Sequence, residues 1–384
     1  MKVLLVSASS GSRGGGEFYF HGLATGLRSI GHDVQLILSD GAHMDEFAET
    51  MSSCSEVVRI PMINTYHRRT RLLGAVTDVK GRNIAKSFYR KLNPDVVHIN
   101  KQNLEDGLEL VLAGRDCGIP TVATIHVTRS AVALGAVAGR LRDFVTRRTL
   151  CKAAVPLIGT SAQCTKDLVQ FVDDASVKCF NVPNGAFEVD GDRTAARKSW
   201  PVSENDIVLG IVARIEAQKN PLFVSPLMAA LPDHVKLVWV GDGRMREQLE
   251  KQILADGVQD RVHLAGWQQD ARRLMSGFDI FILPSLYEGF PFSILEAMSA
   301  GLTCVVSDVD GTRDAIQDRK TGHLCAVNDL EAWVGTIRKL IEHENVRQEI
   351  GQAARSRFVA EFSLKAMATR TADVYASIIN DFSA

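Results

Sequence analysis

The residues best suited to do chemistry begin with two carboxylates, Glu288 and Glu296, in the stretch Leu286-Tyr-Glu-Gly-Phe-Pro-Phe-Ser-Ile-Leu-Glu-Ala-Met-Ser-Ala-Gly301. Pro291 suits the opening of a helix, where its missing N–H is no loss, and Gly301 suits the end. Glu288 then sits in the turn before the helix and Glu296 about a turn inside it. Carboxylates accept hydrogen bonds from hydroxyls, Gly289 lets the backbone approach a ligand, and a helix N-terminus attracts an anion. The spacing therefore suits a polyhydroxyl ligand that carries phosphate. Taken alone, the two glutamates would read as a helix cap and a solvated helical side chain.

Cations and further glycines stand where they could serve the same ligand. Arg214 and Lys219 follow the apolar run 207–213, so they extend from a strand end, and a guanidinium with an ammonium suits a leaving diphosphate. Gly241, in Val240-Gly-Asp-Gly243, follows the next apolar run and frees its backbone in the same way. Near the N-terminus, Gly14-Gly15-Gly16-Glu17 lies between the first strand and the first helix, where backbone N–H groups can face phosphate. A dinucleotide fold would instead place a ribose on Asp40, but these glycines do not fall as Gly-x-Gly-x-x-Gly. His126 ends the run 121–125, and Gln268 follows Ala265-Gly-Trp267 at another strand end.

The elements that must position these residues alternate regularly. Apolar runs at 2–7, 33–38, 57–60, 95–99, 121–125 and 156–159 predict buried parallel strands separated by helices, a first α/β domain over about 1–185. Val182-Pro-Asn-Gly185 punctuates the chain, and the polar residues 186–205 read as a linker. A second alternation over 206–362 has strands predicted at 207–213, 235–241, 262–265, 278–283 and 302–307, and a last helical segment occupies 363–384. The fold class is α/β, with two Rossmann-like, doubly wound domains.

With that layout, the string from Glu288 to Glu296 resembles the retaining GT-B glycosyltransferases, specifically the large Glu-x7-Glu family of group 1 transferases. The resemblance implies two domains facing a central cleft and a C-terminal helix returning to the first domain. It implies a nucleotide-diphosphate sugar as co-substrate, held by the second domain, and an acceptor glycan, glycolipid or small molecule held by the first. Glu288 would hold hydroxyls of the transferred sugar and Glu296 the ribose, with Gly289, Phe290 and Pro291 in the donor turn. Arg214 and Lys219 would meet the diphosphate. Gly15 and Gly16 would approach it from the first domain, Gly241 would lie near the nucleotide, Gln268 near the base, and His126 would contact the sugar. Three departures from the family pattern stand out: Ala213 precedes Arg214 where Gly is usual, His126 precedes Val127 where Asp is usual, and Asp314 stands in for a Glu in Val309-Asp-Gly-Thr-Arg-Asp314.

Composition excludes several other classes. A net charge of -1 over 384 residues makes no electrostatic case for nucleic acid. Seven scattered cysteines without a Cys-x-x-Cys pair suit reduced thiols in a cytosol, and no metal cofactor is expected. Residues 1–7 read as a strand and not a signal peptide, and no apolar run approaches the ~20 residues of a spanning helix. Ten Lys or Arg between Arg59 and Lys101, against Asp78 and Asp95, suit peripheral contact with an anionic membrane or an anionic acceptor, with solvated helix faces as the plainer alternative. A sugar-nucleotide epimerase of the same shape would lack an acceptor, and a non-catalytic subunit would have no reason to keep Glu288, Glu296, Arg214 and Lys219 together.

Overall fold

A computed structural model describes residues 1–7, 11, 14–63 and 76–383. The chain divides into two compact units, Met1–Gly185 with Leu364–Ala384, and Ala186–Ser363.

The first unit is built on a parallel sheet of β1 (Lys2–Ser7), β2 (Asp33–Ser39), β3 (Glu56–Ile60), β4 (Val96–Asn103), β5 (Thr121–Val127), β6 (Leu157–Gly159) and β7 (Cys179–Asn181), in the order β3-β2-β1-β4-β5-β6-β7. Chain direction across the sheet reverses between β1 and β4, which pair in register from Val3↔Val96 to Ser7↔Asn100. Such a reversal leaves an opening at the carboxyl ends of the two strands, where ligands of doubly wound folds bind. The strands carry the core, with Leu4, Val6, Val97, Ile99 and Ile125 fully buried.

The last helix, Leu364–Ser383, belongs to this unit and packs on the first, Gly15–Ser29. Gly22 and Gly26 make the close approach possible: a Cβ on Gly26 would lie 2.6 Å from the Leu364 carbonyl oxygen. A buried polar chain locks the same contact. Tyr375 Oη lies 2.6 Å from His98 Nδ1, His98 Nε2 lies 2.8 Å from Thr124 Oγ1, and Thr124 Oγ1 lies 2.9 Å from Tyr19 Oη. Burial pushes the His98 imidazole down to about 3, so it stays neutral inside this chain.

The second unit repeats the arrangement. Its strands are β8 (Ile207–Val212), β9 (Val235–Val240), β10 (Val262–Gly266), β11 (Ile280–Leu283), β12 (Thr303–Ser307) and β13 (His323–Cys325), ordered β10-β9-β8-β11-β12-β13. Its reversal falls between β8 and β11. Residues 186–205, expected as a linker, contain the helix Arg193–Lys198 and are packed into this unit. Trp200 stacks on Phe278 at 5.3 Å, and Arg193 and Arg197 both pair with Asp279, at 2.6 and 2.5 Å. Strands β7 and β13 were not expected; each has three residues and one of them is polar, Asn181 or His323, so no apolar run stands out.

Candidate active site

In the second unit the sequence-predicted cations and carboxylates follow the two strands that flank the reversal. Arg214 and Lys219 come after β8, and Ser285 and Glu288 come after β11. Lys219 Nζ lies 2.5 Å from Glu288 Oε1, and Ser285 Oγ donates to the same oxygen at 2.5 Å. Gln218 Nε2 donates to the Tyr287 carbonyl at 2.9 Å and to Glu288 Oε2 at 3.3 Å, while Leu286 N donates to the Gln218 carbonyl at 2.8 Å. The ion pair is nearly out of water, with side chains 14% and 5% exposed. An ammonium has three N–H donors, so pairing with Glu288 leaves Lys219 able to donate to a ligand as well. Arg214 is exposed, and its guanidinium has no hydrogen-bond partner among the described residues.

Glycines set the close approaches around this pair. Gly241 has φ +139, and a Cβ there would lie 2.0 Å from the Ala213 carbonyl oxygen, so the end of β9 is pressed against the segment that presents Arg214. A Cβ on Gly311 would meet the Gly289 carbonyl oxygen at 2.1 Å; the start of the helix Asp310–Ala315, after β12, therefore lies directly on the turn of Glu288. Gly289 itself has open space where a side chain would be. Phe290 and Pro291 are buried, Phe290 against Phe362 at 5.7 Å, so their side chains anchor the turn and only their backbone can face a ligand. Pro291 caps the helix Phe292–Ser299 without entering it.

Glu296 lies one turn into that helix, half-buried, with no hydrogen-bond partner for its carboxylate among the described residues. Burial pushes its carboxyl up to about 7; Arg272 draws it down and Asp270 adds to the rise. Gln268 turns back to donate to the Ala265 carbonyl at 3.0 Å, and the neighbouring Trp267 is 60% exposed, so it is not core packing.

In the first unit, His126 ends the buried part of β5. Its Nε2 lies 2.7 Å from Asn100 Oδ1, and its ring meets Tyr19 edge-on at 4.8 Å. Asn100 Nδ2 donates to the Gly16 carbonyl at 3.1 Å, which leaves Oδ1 as the acceptor and puts the His126 proton on Nε2. Burial holds the imidazole down at about 4, so Nδ1 is a bare acceptor. Gly15 and Gly16 open the first helix, whose N-terminus is closed by Glu17 accepting from Gly14 N at 3.2 Å. A Cβ on Gly16 would lie 2.3 Å from the Gln102 side chain. A cavity of about 580 Å³ opens at the carboxyl ends of β4 and β5, lined among others by Asn103, Arg129, Leu134 and Arg142. Arg142 grips Glu105 with two hydrogen bonds, 2.8 and 2.5 Å, and so shapes its wall.

Residues 14–185 match the glycosyl transferase 4-like domain, and residues 192–357 match the glycosyl transferases group 1 domain. The chain belongs to the group 1 glycosyltransferases. Among relatives, this glycosyltransferase is 26% identical over 373 residues to an Escherichia coli UDP-Gal:alpha-D-GlcNAc-diphosphoundecaprenol alpha-1,3-galactosyltransferase, covering 90% of this chain and 89% of that one. It is also 26% identical over 389 residues to a glycogen synthase of Mycobacterium tuberculosis, covering 94% and 91%. Among solved structures, Anabaena HepE in complex with UDP superposes with a TM-score of 0.79 at 21% identity, over 98% of this chain and all of that one. That likeness shows the two-domain GT-B fold.

Three residues of the glycosyltransferase were passed over in the sequence: Ser285 and Gln218, which hold Glu288, and Asn100, which holds His126. Ser285 stands three residues before Glu288, and Asn100 ends the apolar run of β4 as His126 ends that of β5; those positions were the available signals.

Four of the seven described cations in the basic stretch 59–101 are committed to structure, while Lys80, Arg90 and Lys91 are exposed. Arg59 binds Asp45 at 2.9 Å, Arg82 and Lys86 converge on Asp116, and Lys101 is fully buried, its ammonium pushed down to about 8. On the helix Val79–Leu92, Ile84, Phe88 and Leu92 pack on the core instead of facing out. Arg68, Arg69 and Arg71 lie outside the described residues.

Proposed function

We propose that this glycosyltransferase binds a nucleoside-diphosphate sugar in its second unit and transfers the sugar, with retention of configuration and without a metal ion, to an acceptor held by its first. The observation that carries the reading is the Lys219–Glu288 pair at the chain reversal of the second sheet, fastened by Ser285 and Gln218. Fixed in this way, Glu288 can accept from sugar hydroxyls without reorganising, and Lys219 brings positive charge to the leaving diphosphate. Arg214 adds a guanidinium with free donors, and Glu296, without an internal partner, is suited to the ribose hydroxyls. These cations take the place a divalent ion would fill, and among the described residues no group of three or more His, Cys, Asp or Glu is gathered as a metal site. Retention, and the front-face attack usually ascribed to the family, rest on the resemblance carried by the Glu-x7-Glu string.

The acceptor belongs at the cavity by β4 and β5 and, by the name of the Escherichia coli relative, includes lipid-linked sugars of the cell envelope. All seven cysteines are free, which suits work on the cytoplasmic side, and among the described residues no helix is long and apolar enough to cross a membrane. The test is a panel of nucleotide sugars scored by thermal shift, where a ligand at 100 times its Kd stabilises by about 2.7 kcal/mol. Transfer to a lipid-linked acceptor and the anomeric configuration of the product then follow by NMR. A panel in which no nucleotide sugar moves the transition overturns the proposal, and sugar conversion without any acceptor points to epimerisation.

A further inference from the structure

The helix Gly139–Ala153 divides its residues sharply. Gly139, Thr146, Leu150 and Ala153 are buried. At 100° per residue, Arg147, Arg140, Phe144, Arg148, Leu141 and Lys152 follow one another around an arc of about 140° on the opposite side. Each of these six is exposed, and none of the four cations has an ion-pair partner among the described residues. The one acid within the helix itself, Asp143, accepts from the amides of Ala131 and Val132 at 2.7 and 3.1 Å, which ties the preceding loop to the helix. That loop adds Val132, Leu134 and Val137, the last 89% exposed. Of the eighteen exposed large apolar side chains in the described residues, six fall between Val127 and Phe144. A folded protein normally scatters such residues singly, and a cluster this dense marks an interaction surface.

We infer that this face of the first unit docks on an anionic lipid bilayer. The apolar side chains reach the acyl boundary, while the arginines beside them lay their stems on the apolar surface and leave their guanidinium groups among the phosphates. A second copy of the chain fits poorly, because a twofold contact sets the patch against itself and so brings cations onto cations. Lipid phosphate supplies the complementary charge that the protein surface omits. The 580 Å³ cavity shares Leu134 and Val137 with this face, so an acceptor anchored in the bilayer would reach it along the membrane. That consequence rests on the acceptor reading above; the docking surface does not.

The test is co-sedimentation of the full chain with vesicles of phosphatidylglycerol and phosphatidylcholine, or of phosphatidylcholine alone, at low and high salt. The wild type is expected to pellet with anionic vesicles at low salt and to be released by salt. Each cation at such a surface is worth about fivefold in partition, so the triple variant Arg140→Glu, Arg147→Glu, Arg148→Glu should bind at least a hundredfold more weakly. The double variant Leu141→Ser, Phe144→Ser should bind about tenfold more weakly, and a Trp in place of Phe144 should shift its emission to the blue with anionic vesicles. Thermal shift by the donor should be unchanged in every variant, which separates this surface from the active site. The inference is overturned if the wild type ignores anionic vesicles at low salt, if the triple variant pellets like the wild type, or if neutral vesicles bind equally. It is also overturned if the chain self-associates and the Leu141, Phe144 variant abolishes that association in place of lipid binding.

Discussion

Glu296→Gln should make the free enzyme more stable while weakening its hold on the donor. In the unfolded chain this carboxyl titrates near 4.3, whereas in the fold burial raises it to about 7. The fold thus binds the proton more tightly. Its contribution to stability is complete below the unfolded value and is lost as pH rises through the folded one. At 1.36 kcal/mol per pKa unit, the loss between pH ~4.3 and ~7 approaches about 3 kcal/mol. Glutamine does not titrate, so the variant escapes that loss. Near pH 4.5 the two proteins should melt together; by about pH 8 the variant should melt higher by roughly 6–12 °C, at 2–4 °C per kcal/mol for a domain the size of the second unit. The donor responds in the opposite sense. Losing a charged acceptor for hydroxyls costs about 1.5–3 kcal/mol, so donor Kd should rise by about 10- to 150-fold at about pH 8, where the carboxyl is ionised. Calorimetry across the pH series together with donor titration would check both. A melting difference that stays flat from about pH 4.5 to 8 refutes the burial argument, and unchanged donor affinity refutes the ribose assignment.

Arg214→Ala and Lys219→Ala should each lower turnover by about 10²-fold or more, but only the second should destabilise the fold. Arg214 is exposed, whereas removing Lys219 strands the buried carboxylate of Glu288 at a cost of about 3 kcal/mol, the low end for a broken buried pair because Ser285 and Gln218 remain. Equal melting temperatures for both variants would count against the pair. Gly311→Ala should raise donor KM at least tenfold, because its Cβ would lie 2.1 Å from the Gly289 carbonyl and displace the turn of Glu288; steady-state kinetics with donor KM intact would argue that the turn is not at the donor. Transfer should persist in EDTA, and abolition by chelator with rescue by Mn²⁺ or Mg²⁺ would reject the metal-free reading.

Much of this molecule is legible in local residue order. Buried parallel strands are near-continuous apolar runs, so β1, β2, β8, β9 and β12 stand out from the chain alone, as does the Glu288 to Glu296 string between two of them. Short-range punctuation by Gly and Pro marks the turns that carry Arg214, Lys219 and Glu288. The segment 186–205 reads as a linker because its contacts are not local: Trp200 and Arg197 find Phe278 and Asp279 some eighty residues on. The same holds for the partners of the site. Nothing near Glu288 in the chain says that Lys219 is its counter-ion, and nothing near His126 says that Asn100 sets its tautomer. Strand order in each sheet decides those meetings, since both pairs join elements that are distant in sequence and adjacent only at the carboxyl ends of the folded strands. Charge on the surface follows the same rule. The density of Lys and Arg in 59–101 is visible in the sequence, but whether a cation is spent on a neighbouring carboxylate, as Arg82 is on Asp116, or left facing outward, as Arg140 and Arg148 are, depends on which helix face the core claims.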